Sequence, residues 1–193
     1  MCAVIIIAVL LLVFAGIACV IKLTSRGPVI FKQRRVGRNK SEFFMLKFRT
    51  MYLEAPRDIP THLFENPERY ITPVGRFLRK ASLDELPQLF NILKGEMSFV
   101  GPRPALYNQY DLISLRDRYG VNSIRPGITG WAQVNGRDEL DIPAKAEYDR
   151  YYKEHMSLWL DLKILLLTFK NALSGKGVIE GKQAVENKST SAV

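Results

Sequence analysis

A long apolar segment near the start of the chain constrains the fold more than any other feature. Residues 3–21 form a run of 19 residues without a charged side chain. As an α-helix this run would be about 28 Å long, close to the thickness of the hydrocarbon layer of a bilayer. Such a helix needs apolar surroundings along most of its surface, so the sequence predicts a membrane-embedded helix over residues 1–22.

Two other interpretations of this segment fit the sequence less well. A secretory signal peptide would have a basic region before the apolar run and a small-residue cleavage site after it. Only Met1 and Cys2 precede the run, and the chain then continues into Lys22 and Arg26. A buried core helix would be unusually long. The sequence leaves open whether the helix spans the bilayer or enters and leaves it on one side.

Basic side chains are concentrated directly after the apolar segment. The net charge is +9, and residues 22–49 contain nine Lys and Arg residues against one acidic residue, Glu42. Such a stretch attracts phospholipid head groups, nucleotide phosphates or nucleic acid, or it is a solvated face that only keeps the protein soluble. Its position beside the apolar segment favours an anionic phospholipid membrane, with the globular part on the cytoplasmic side.

Length and composition predict one folded domain after the helix, since the chain has 193 residues, 47% of them apolar and 24% charged. Hydrophobic patterns predict a small β-hairpin from strands at 29–33 and 43–48, helices at 74–80, 107–119, 144–155 and 157–173, and a hairpin or tight loop at 127–137. The predicted class is α/β, mostly helical with a small hairpin, and with amphipathic helices at the membrane interface. The helix at 157–173 fits either the core or that interface, with Trp159 at the level of the head groups. The predicted divisions are a membrane helix at 1–22, a globular domain at 23–175 that would contain any catalytic site, and a polar, mobile tail at 176–193.

The strongest candidate for chemistry is the acidic pair Asp84-Glu85, in the run SLDELPQLFN at residues 82–91. Ser82 and Glu85 match a capping box, so the run predicts a helix that holds both carboxylates in its first turn and stops at Lys94-Gly95. The first turn of a helix favours a charged carboxylate or a bound phosphate. The alternative is an acidic turn that only complements the helix dipole.

A carboxylate that attacks a phosphoryl group needs cations to offset the repulsion between two anions. In this interpretation Asp84 is the nucleophile, and Glu85 holds a metal ion or a water molecule. The candidate cations are Lys47, Arg49, Arg79 and Arg103, the last of which lies in the stiff run SFVGPRP at residues 98–104. Arg125, in the run RPG, fits either a stiff turn or a contact with phosphate.

Four motifs in order closely resemble the bacterial sugar transferase family, the monotopic phosphoglycosyl transferases that begin surface-glycan assembly. They are KFRTM at 47–51, SLDELPQLFN at 82–91, SFVGPRP at 98–104 and RPGITGWAQVNGR at 125–137. The resemblance covers roughly residues 4–175. It implies transfer of a sugar 1-phosphate from a UDP-sugar to a polyprenyl phosphate such as undecaprenyl phosphate, with release of UMP. That reaction is the first membrane step of exopolysaccharide, capsule, O-antigen or glycoprotein glycan assembly.

The resemblance also implies roles for single residues. Asp84 would form a covalent phosphosugar intermediate, and Glu85 would take part in binding Mg²⁺ and in handling protons, so Mg²⁺ held by these two carboxylates is the expected cofactor. The other residues that match functional positions are Lys47, Arg79, Arg103 and Asp149, together with the nucleotide-handling segment that includes Arg125 and Arg137. The implied location is the cytoplasmic face of the bacterial inner membrane.

One part of the chain departs from the family pattern. Family members usually break the N-terminal helix with a Ser-Pro step, but Leu11-Leu12 occupies that place here, and the basic segment before the helix is absent. Two other functions remain open: a membrane-tethered protein that binds nucleic acid or anionic lipid, and an inactive scaffold for glycan assembly. The enzyme interpretation predicts no nucleic-acid partner, is compatible with a homodimer, and does not identify the sugar.

Overall fold

The computed structural model describes residues 2–56, 66–136 and 139–174 of the chain. Within these residues the fold is a mixture of helices and short strands, which confirms the mixed α/β class. The helices are α1 (Cys2–Thr24), α2 (Pro73–Lys80), α3 (Gln88–Leu93), α4 (Tyr110–Arg118), α5 (Trp131–Val134), α6 (Ile142–Glu154) and α7 (Leu158–Ser174). The strands are β1 (Ile30–Val36), β2 (Glu42–Phe48), β3 (Ser98–Val100) and β4 (Gly127–Thr129). Single 3₁₀ turns lie at Arg38–Lys40, Pro67–Arg69, Leu83–Glu85 and Val121–Ser123.

The first two strands form the predicted hairpin. β1 and β2 are antiparallel, with Ile30 opposite Phe48 at one end and Val36 opposite Glu42 at the other. Alternation along β2 buries Phe43 and Met45, whereas Phe44 between them is exposed. The hairpin therefore presents one face to the core and carries Lys47 at the end of β2 next to the site described below.

The last two strands form a second, parallel pair that joins distant parts of the chain. Ser98 lies opposite Gly127 and Val100 opposite Thr129. The predicted hairpin or tight loop is therefore wrong for residues 127–134, because this segment pairs with a strand far away in sequence and then forms α5. Residues 135 and 136 do form a turn. Glycine is required at Gly127, since a Cβ atom there would overlap the backbone nitrogen of Gly101.

Helix α1 packs against the rest of the fold through its second half. Ile21 lies in a buried cluster with Phe48 of β2 and Leu78 of α2, and Phe14 and Ile17 of α1 pack against that cluster. Residues 14, 17 and 21 share one face of a helix by their spacing. The opposite side of α1 is apolar and exposed at Leu11, Leu12, Val13, Val20 and Leu23. In the part of the chain that the structure describes, no helix is both long enough and apolar enough to cross a bilayer.

Helices α4, α6 and α7 enclose the other half of the fold. Leu112 of α4 packs with Ala146 of α6, and Ile164 of α7 packs with Tyr152 of α6 and Val100 of β3. The predicted helices at 107–119, 144–155 and 157–173 are confirmed, with small shifts of their ends. The predicted tail at 176–193 lies outside the described residues.

Candidate active site

The acidic pair lies on a 3₁₀ turn between α2 and α3. Ser82 has a left-handed backbone conformation, with φ 55° and ψ 18°, and its side chain makes no capping hydrogen bond. The predicted capping box is therefore wrong, because a capping residue needs an extended backbone. The turn covers Leu83–Glu85, and α3 begins only at Gln88, after Pro87. The helix stop at Lys94-Gly95 is confirmed, with Gly95 at φ 77°.

Apolar side chains on both sides of the pair fix the direction of the two carboxylates. Leu83 and Leu86 pack against the cluster that contains Ile21 of α1. Since the leucines face that cluster, Asp84 and Glu85 are directed to the other side, toward Lys47. The acidic pair thus lies directly beside the contact between α1 and the rest of the fold.

Lys47 and Arg103 converge on Glu85. The Nζ atom of Lys47 lies 2.7 Å from Oε1 of Glu85 and 3.9 Å from Oδ2 of Asp84. An Nη2 atom of Arg103 lies 3.3 Å from the same Oε1 atom of Glu85. The side chains of Lys47, Asp84 and Glu85 are each less than a fifth exposed. In this partly dry setting the charges interact more strongly than they would in water.

Burial and charge change the acidity of two groups in this site. Burial lowers the pKa of the Lys47 ammonium, and the nearby Glu85 carboxylate opposes that change. Burial also raises the pKa of the Asp84 carboxyl; Lys47 opposes this effect, Glu85 adds to it, and Arg79 and Arg103 oppose it. Asp84 is therefore a more basic carboxylate than one in water, which favours bond formation when it is ionised.

Asn91 holds the hairpin in register with the acidic turn. Its Oδ1 atom accepts a hydrogen bond from the backbone nitrogen of Leu46 at 3.0 Å, and its Nδ2 atom donates to the Phe44 carbonyl at 2.8 Å and to Glu96 at 2.6 Å. The side chain is fully buried. Because these bonds hold the backbone on both sides of Met45, two residues before Lys47, they help to fix where the Lys47 ammonium enters the site.

Two predicted arginines differ in their relation to the pair. Arg79, in the last turn of α2, is close enough for its charge to lower the pKa of Asp84. Arg49 is directed elsewhere: its guanidinium donates to the carbonyls of Ser25 and Arg26 at 2.8 and 2.6 Å. A Cβ atom at Gly27, where φ is 117°, would overlap that guanidinium. Arg49 fixes the chain where it leaves α1, so its geometry does not support the predicted substrate contact.

Asp149 lies in a buried ion pair. It is 1% exposed, and its Oδ2 atom accepts hydrogen bonds from Nε and Nη2 of Arg116 at 2.9 and 2.5 Å. Burial raises the pKa of Asp149, and Arg116 opposes this effect. Arg116 was not predicted from the sequence, although its place four residues after Leu112, on the buried face of α4, is a signal for a basic residue that faces inward. In this arrangement Asp149 has no surface on which to bind a substrate.

Arg125 and Trp131, which both belong to the motif at 125–137, lie at the edge of the site or beyond it. Arg125 is exposed, and its guanidinium lies near Gly95 at the end of α3. Arg137 lies outside the described residues. Trp131, at the start of α5, packs against the buried cluster of α6 and α7 and stacks on Tyr151 with ring centroids 5.8 Å apart.

Asp84 and Glu85 are the two carboxylates that Mg²⁺ would use in this site. Among residues 2–56, 66–136 and 139–174, no three His, Cys, Asp or Glu side chains are grouped closely enough to hold a metal ion. Mg²⁺ is usually held by one or two carboxylates together with substrate phosphates and water. The adjacent carboxylates of Asp84 and Glu85 fit the protein part of such a site, which phosphate oxygens would complete.

Comparisons with known proteins identify a family and several relatives. The family model described as bacterial sugar transferase matches residues 1–175. The chain is 44% identical over 159 residues to the uncharacterized sugar transferase EpsL of Bacillus subtilis (strain 168), a match that covers 82% of this chain and 77% of EpsL.

Two longer relatives have names that specify a reaction. One is a UDP-glucose:undecaprenyl-phosphate glucose-1-phosphate transferase of Xanthomonas campestris, which is 42% identical over 83% of this chain and 35% of its own length. The other is a UDP-N-acetylgalactosamine-undecaprenyl-phosphate N-acetylgalactosaminephosphotransferase of Aeromonas hydrophila, 40% identical over 83% of this chain and 39% of its own length. The chain thus spans little more than a third of the length of these two relatives.

Proposed function

The chain belongs to the bacterial sugar transferase family, and from that premise we propose that it transfers a sugar 1-phosphate from a UDP-sugar to polyprenyl phosphate and releases UMP. The observation that carries this proposal is the buried Asp84 carboxylate, 3.9 Å from the Lys47 ammonium and beside the apolar contact with α1. Two relatives of similar identity are named for different sugars, so the sugar itself is not assigned.

The first step joins Asp84 to the sugar phosphate. A carboxylate oxygen of Asp84 attacks the β-phosphorus of the UDP-sugar, and the bond from that phosphorus to the bridging oxygen breaks. The electron pair leaves on the α-phosphate, which departs as UMP. The charge of Lys47 offsets the repulsion between carboxylate and phosphate. Arg103 would contribute to the same effect if an incoming phosphate drew it away from Glu85.

The second step regenerates the carboxylate. A phosphate oxygen of polyprenyl phosphate attacks the phosphorus of the aspartyl intermediate, and the bond from phosphorus to the Asp84 oxygen breaks. The products are the polyprenyl diphosphate sugar and free Asp84. Because each substrate reacts in turn with one residue, ping-pong kinetics are expected.

Mg²⁺ is part of the proposal as a cofactor. Asp84 and Glu85 would hold it together with phosphate oxygens, and when bound it supplies charge that neutralises the phosphates. Lys47 would keep the position of Glu85 defined whether or not the ion is present, since their hydrogen bond is 2.7 Å long.

The proposed location is the cytoplasmic face of the bacterial inner membrane. Exposed apolar side chains support this location on α1, at Phe44 and Leu93 near the acidic turn, and along α7, where Leu158 and Trp159 are 88% and 82% exposed. Large exposed apolar surfaces are typical of interaction with a membrane or a protein. The contact of α1 with Leu83 and Leu86 would bring the phosphate of a membrane-bound polyprenyl lipid close to Asp84.

Internal contacts weaken the alternative of a nucleic-acid-binding protein. Several cations of the basic stretch at 22–49 have partners inside the fold. Arg35 donates to the Pro104 carbonyl, Arg38 to the Ser123 carbonyl, and Lys40 pairs with Asp117. Arg49 and Lys47 are held as described above. Cations that are bonded to groups inside the protein are less available to the phosphates of a nucleic acid.

The proposal is tested with the full chain in lipid nanodiscs, undecaprenyl phosphate, Mg²⁺ and a panel of UDP-sugars. We expect one or more donors to give UMP and a lipid-linked sugar diphosphate in equal amounts. Enzyme quenched with donor alone should carry a sugar-phosphate adduct on Asp84, detectable by peptide mass spectrometry. Salt-sensitive lipid or nucleic-acid binding without UMP release from any donor would contradict the proposal, and so would turnover without that adduct.

A further inference from the structure

The loop that carries Arg103 has an unusually constrained backbone. It connects β3 to α4, and four of its consecutive carbonyls each accept a hydrogen bond from a different donor. The bonds are Gly127 N to Pro102 O at 2.9 Å, Arg116 Nη1 to Arg103 O at 2.9 Å, Arg35 Nη1 to Pro104 O at 2.8 Å, and Val36 N to Ala105 O at 2.9 Å. A loop held at successive peptide groups has little freedom to change its backbone conformation.

Two of these donors are arginine side chains, and each is oriented by a second side chain. Arg116 is held by the buried Asp149 carboxylate. Arg35 is held by Gln33, whose Oε1 atom accepts hydrogen bonds from Nη2 and Nε of Arg35 at 2.6 and 3.1 Å. An arginine that is fixed in this way places a donor at one defined point, because its guanidinium is planar and rigid.

The position of Arg103 follows from these contacts. The loop fixes the peptide groups on both sides of its Cα atom, so the side chain starts from a set point and direction. Its guanidinium then lies 3.3 Å from Glu85, next to Asp84. A displacement of about 1 Å in such a group is enough to lower a rate by about 100-fold.

We propose that Arg116, oriented by Asp149, and Arg35, oriented by Gln33, are positioning residues that set Arg103 against the acidic pair. This inference rests on the proposed function for its kinetic meaning. Direct substrate binding by Arg116 is disfavoured, because its side chain is 7% exposed and that of Asp149 is 1% exposed. Asp149 thus acts on the site through two intermediaries, Arg116 and the Arg103 carbonyl.

The test is a mutant cycle between the buried ion pair and Arg103. The double replacement Arg116→Met with Asp149→Leu removes both charges together and leaves no unpaired buried ion. It is compared with Arg103→Ala and with the triple variant, using kcat and KM for UMP release from the active UDP-sugar. Arg118→Met, on the exposed face of the same helix, is the matched control.

We expect the double replacement to lower kcat/KM by about 10- to 100-fold in the presence of Arg103 and by less than about twofold in the Arg103→Ala background. Arg35→Met, which leaves the ion pair intact, should show the same dependence on Arg103. The proposal would be overturned if the loss of kcat/KM in the triple variant were the product of the losses in the double replacement and in Arg103→Ala. Unchanged kinetics in the double replacement would also overturn it. If the double replacement does not fold, the Arg35→Met cycle decides in the same way.

A structure of the double replacement and of Arg35→Met separates this inference from the proposed function. If the wild-type protein releases UMP from no donor, the proposed function fails. The positioning of Arg103 is then judged by its distance to Glu85 in these variants. A retained contact near 3.3 Å in both would overturn the inference, and separation of the two side chains would support it.

Discussion

Lys47 and Asp84 face each other across 3.9 Å without a hydrogen bond, because the Lys47 ammonium is bonded to Glu85 at 2.7 Å. The lysine therefore supplies charge to Asp84 without occupying its lone pairs. A nucleophilic carboxylate benefits from this arrangement, since its oxygen stays available for attack on phosphorus. Asp84 and Glu85 therefore differ in their contact with Lys47, although they are neighbours in the sequence: Glu85 accepts its hydrogen bond and Asp84 does not.

Removal of the Asp84 carboxylate should abolish transfer. Asp84→Asn keeps the size of the side chain but removes the attacking oxygen anion, so we expect UMP release to fall by at least about 1,000-fold. Membrane association should be unchanged. Asp111→Asn, an exposed residue on α4, is the control for the same chemical change. Retention of near-normal turnover by Asp84→Asn would exclude a covalent intermediate on this residue.

The charge of Lys47 should determine the pH below which kcat/KM for the UDP-sugar falls. Burial raises the pKa of Asp84 and Lys47 opposes that rise, so removal of the ammonium raises this pKa further. In the proposed mechanism Asp84 reacts only when it is ionised, and we therefore expect Lys47→Met to shift the acid limb of kcat/KM for the UDP-sugar to higher pH. Lys47→Arg keeps a positive charge and should shift it less. The other charged groups that face Asp84 are Glu85, Arg79 and Arg103. An acid limb that moves to lower pH in Lys47→Met would contradict this assignment.

Asn91 should be important for stability rather than for chemistry. Asn91→Ala leaves the Leu46 N–H and the Phe44 carbonyl without their side-chain partner in a buried setting. We expect the free energy of unfolding to fall by about 2–4 kcal/mol in denaturant titrations. Asn135→Ala removes an exposed hydrogen bond to the Trp131 carbonyl and should cost less than about 1 kcal/mol. Equal effects of the two substitutions would show that the hairpin does not depend on Asn91.

Two glycines should respond in opposite ways to the same substitution. A Cβ atom at Gly75 would overlap the Thr50 backbone, whereas one at Gly16 would meet nothing within 4 Å. Gly75→Ala must therefore separate α2 from the chain after β2, and we expect a loss of about 2–4 kcal/mol in thermal unfolding. Gly16→Ala should be neutral or stabilising by up to about 1 kcal/mol, since alanine favours helix. A tolerated Gly75→Ala would mean that this close approach is absent in solution.

The exposed face of α7 should contribute to membrane binding. Trp159→Ser and Leu166→Ser remove large exposed apolar side chains and leave the buried Ile164 in place. We expect each substitution to weaken flotation with vesicles of anionic phospholipid by about tenfold, because it removes apolar area that the native side chain would bury in the membrane. Tyr110→Ser, at an exposed aromatic residue on α4, is the control. Unchanged flotation of the Trp159 and Leu166 variants would place membrane contact elsewhere.

Local patterns in the sequence predicted much of the fold and the acidic centre of the site. The hairpin and helices α2, α4, α6 and α7 follow from hydrophobic periodicity, which local sequence carries directly. The left-handed turn at Ser82 was not predicted; Leu83 and Leu86, which follow it, pack against residues of α1, β2 and α2, and local sequence does not show these contacts. The strand Gly127–Thr129 was missed because its partner, Ser98–Val100, is distant in sequence.

The directions of the arginines were the least predictable part of the site. Arg49 and Arg103 both lie in motifs that suggest a phosphate contact, but only Arg103 reaches the acidic pair. Which way a long side chain turns depends on carbonyls and carboxylates contributed by other segments. The direction of Arg116 was likewise not predictable, because it is set by contacts with Asp149 and with the Arg103 carbonyl, which come from other segments of the chain.

The parallel pairing of β3 and β4 has a consequence for the order in which the protein matures. The loop of Arg103 is held by Gly127 and by Arg116, both of which leave the ribosome after it. A nascent chain that has emerged only as far as the loop of Arg103 cannot yet hold that arginine in place, because Arg116 and Gly127 are still missing. The placement of Arg103 beside the acidic pair is thus completed late in biosynthesis, only when the C-terminal half has joined the hairpin.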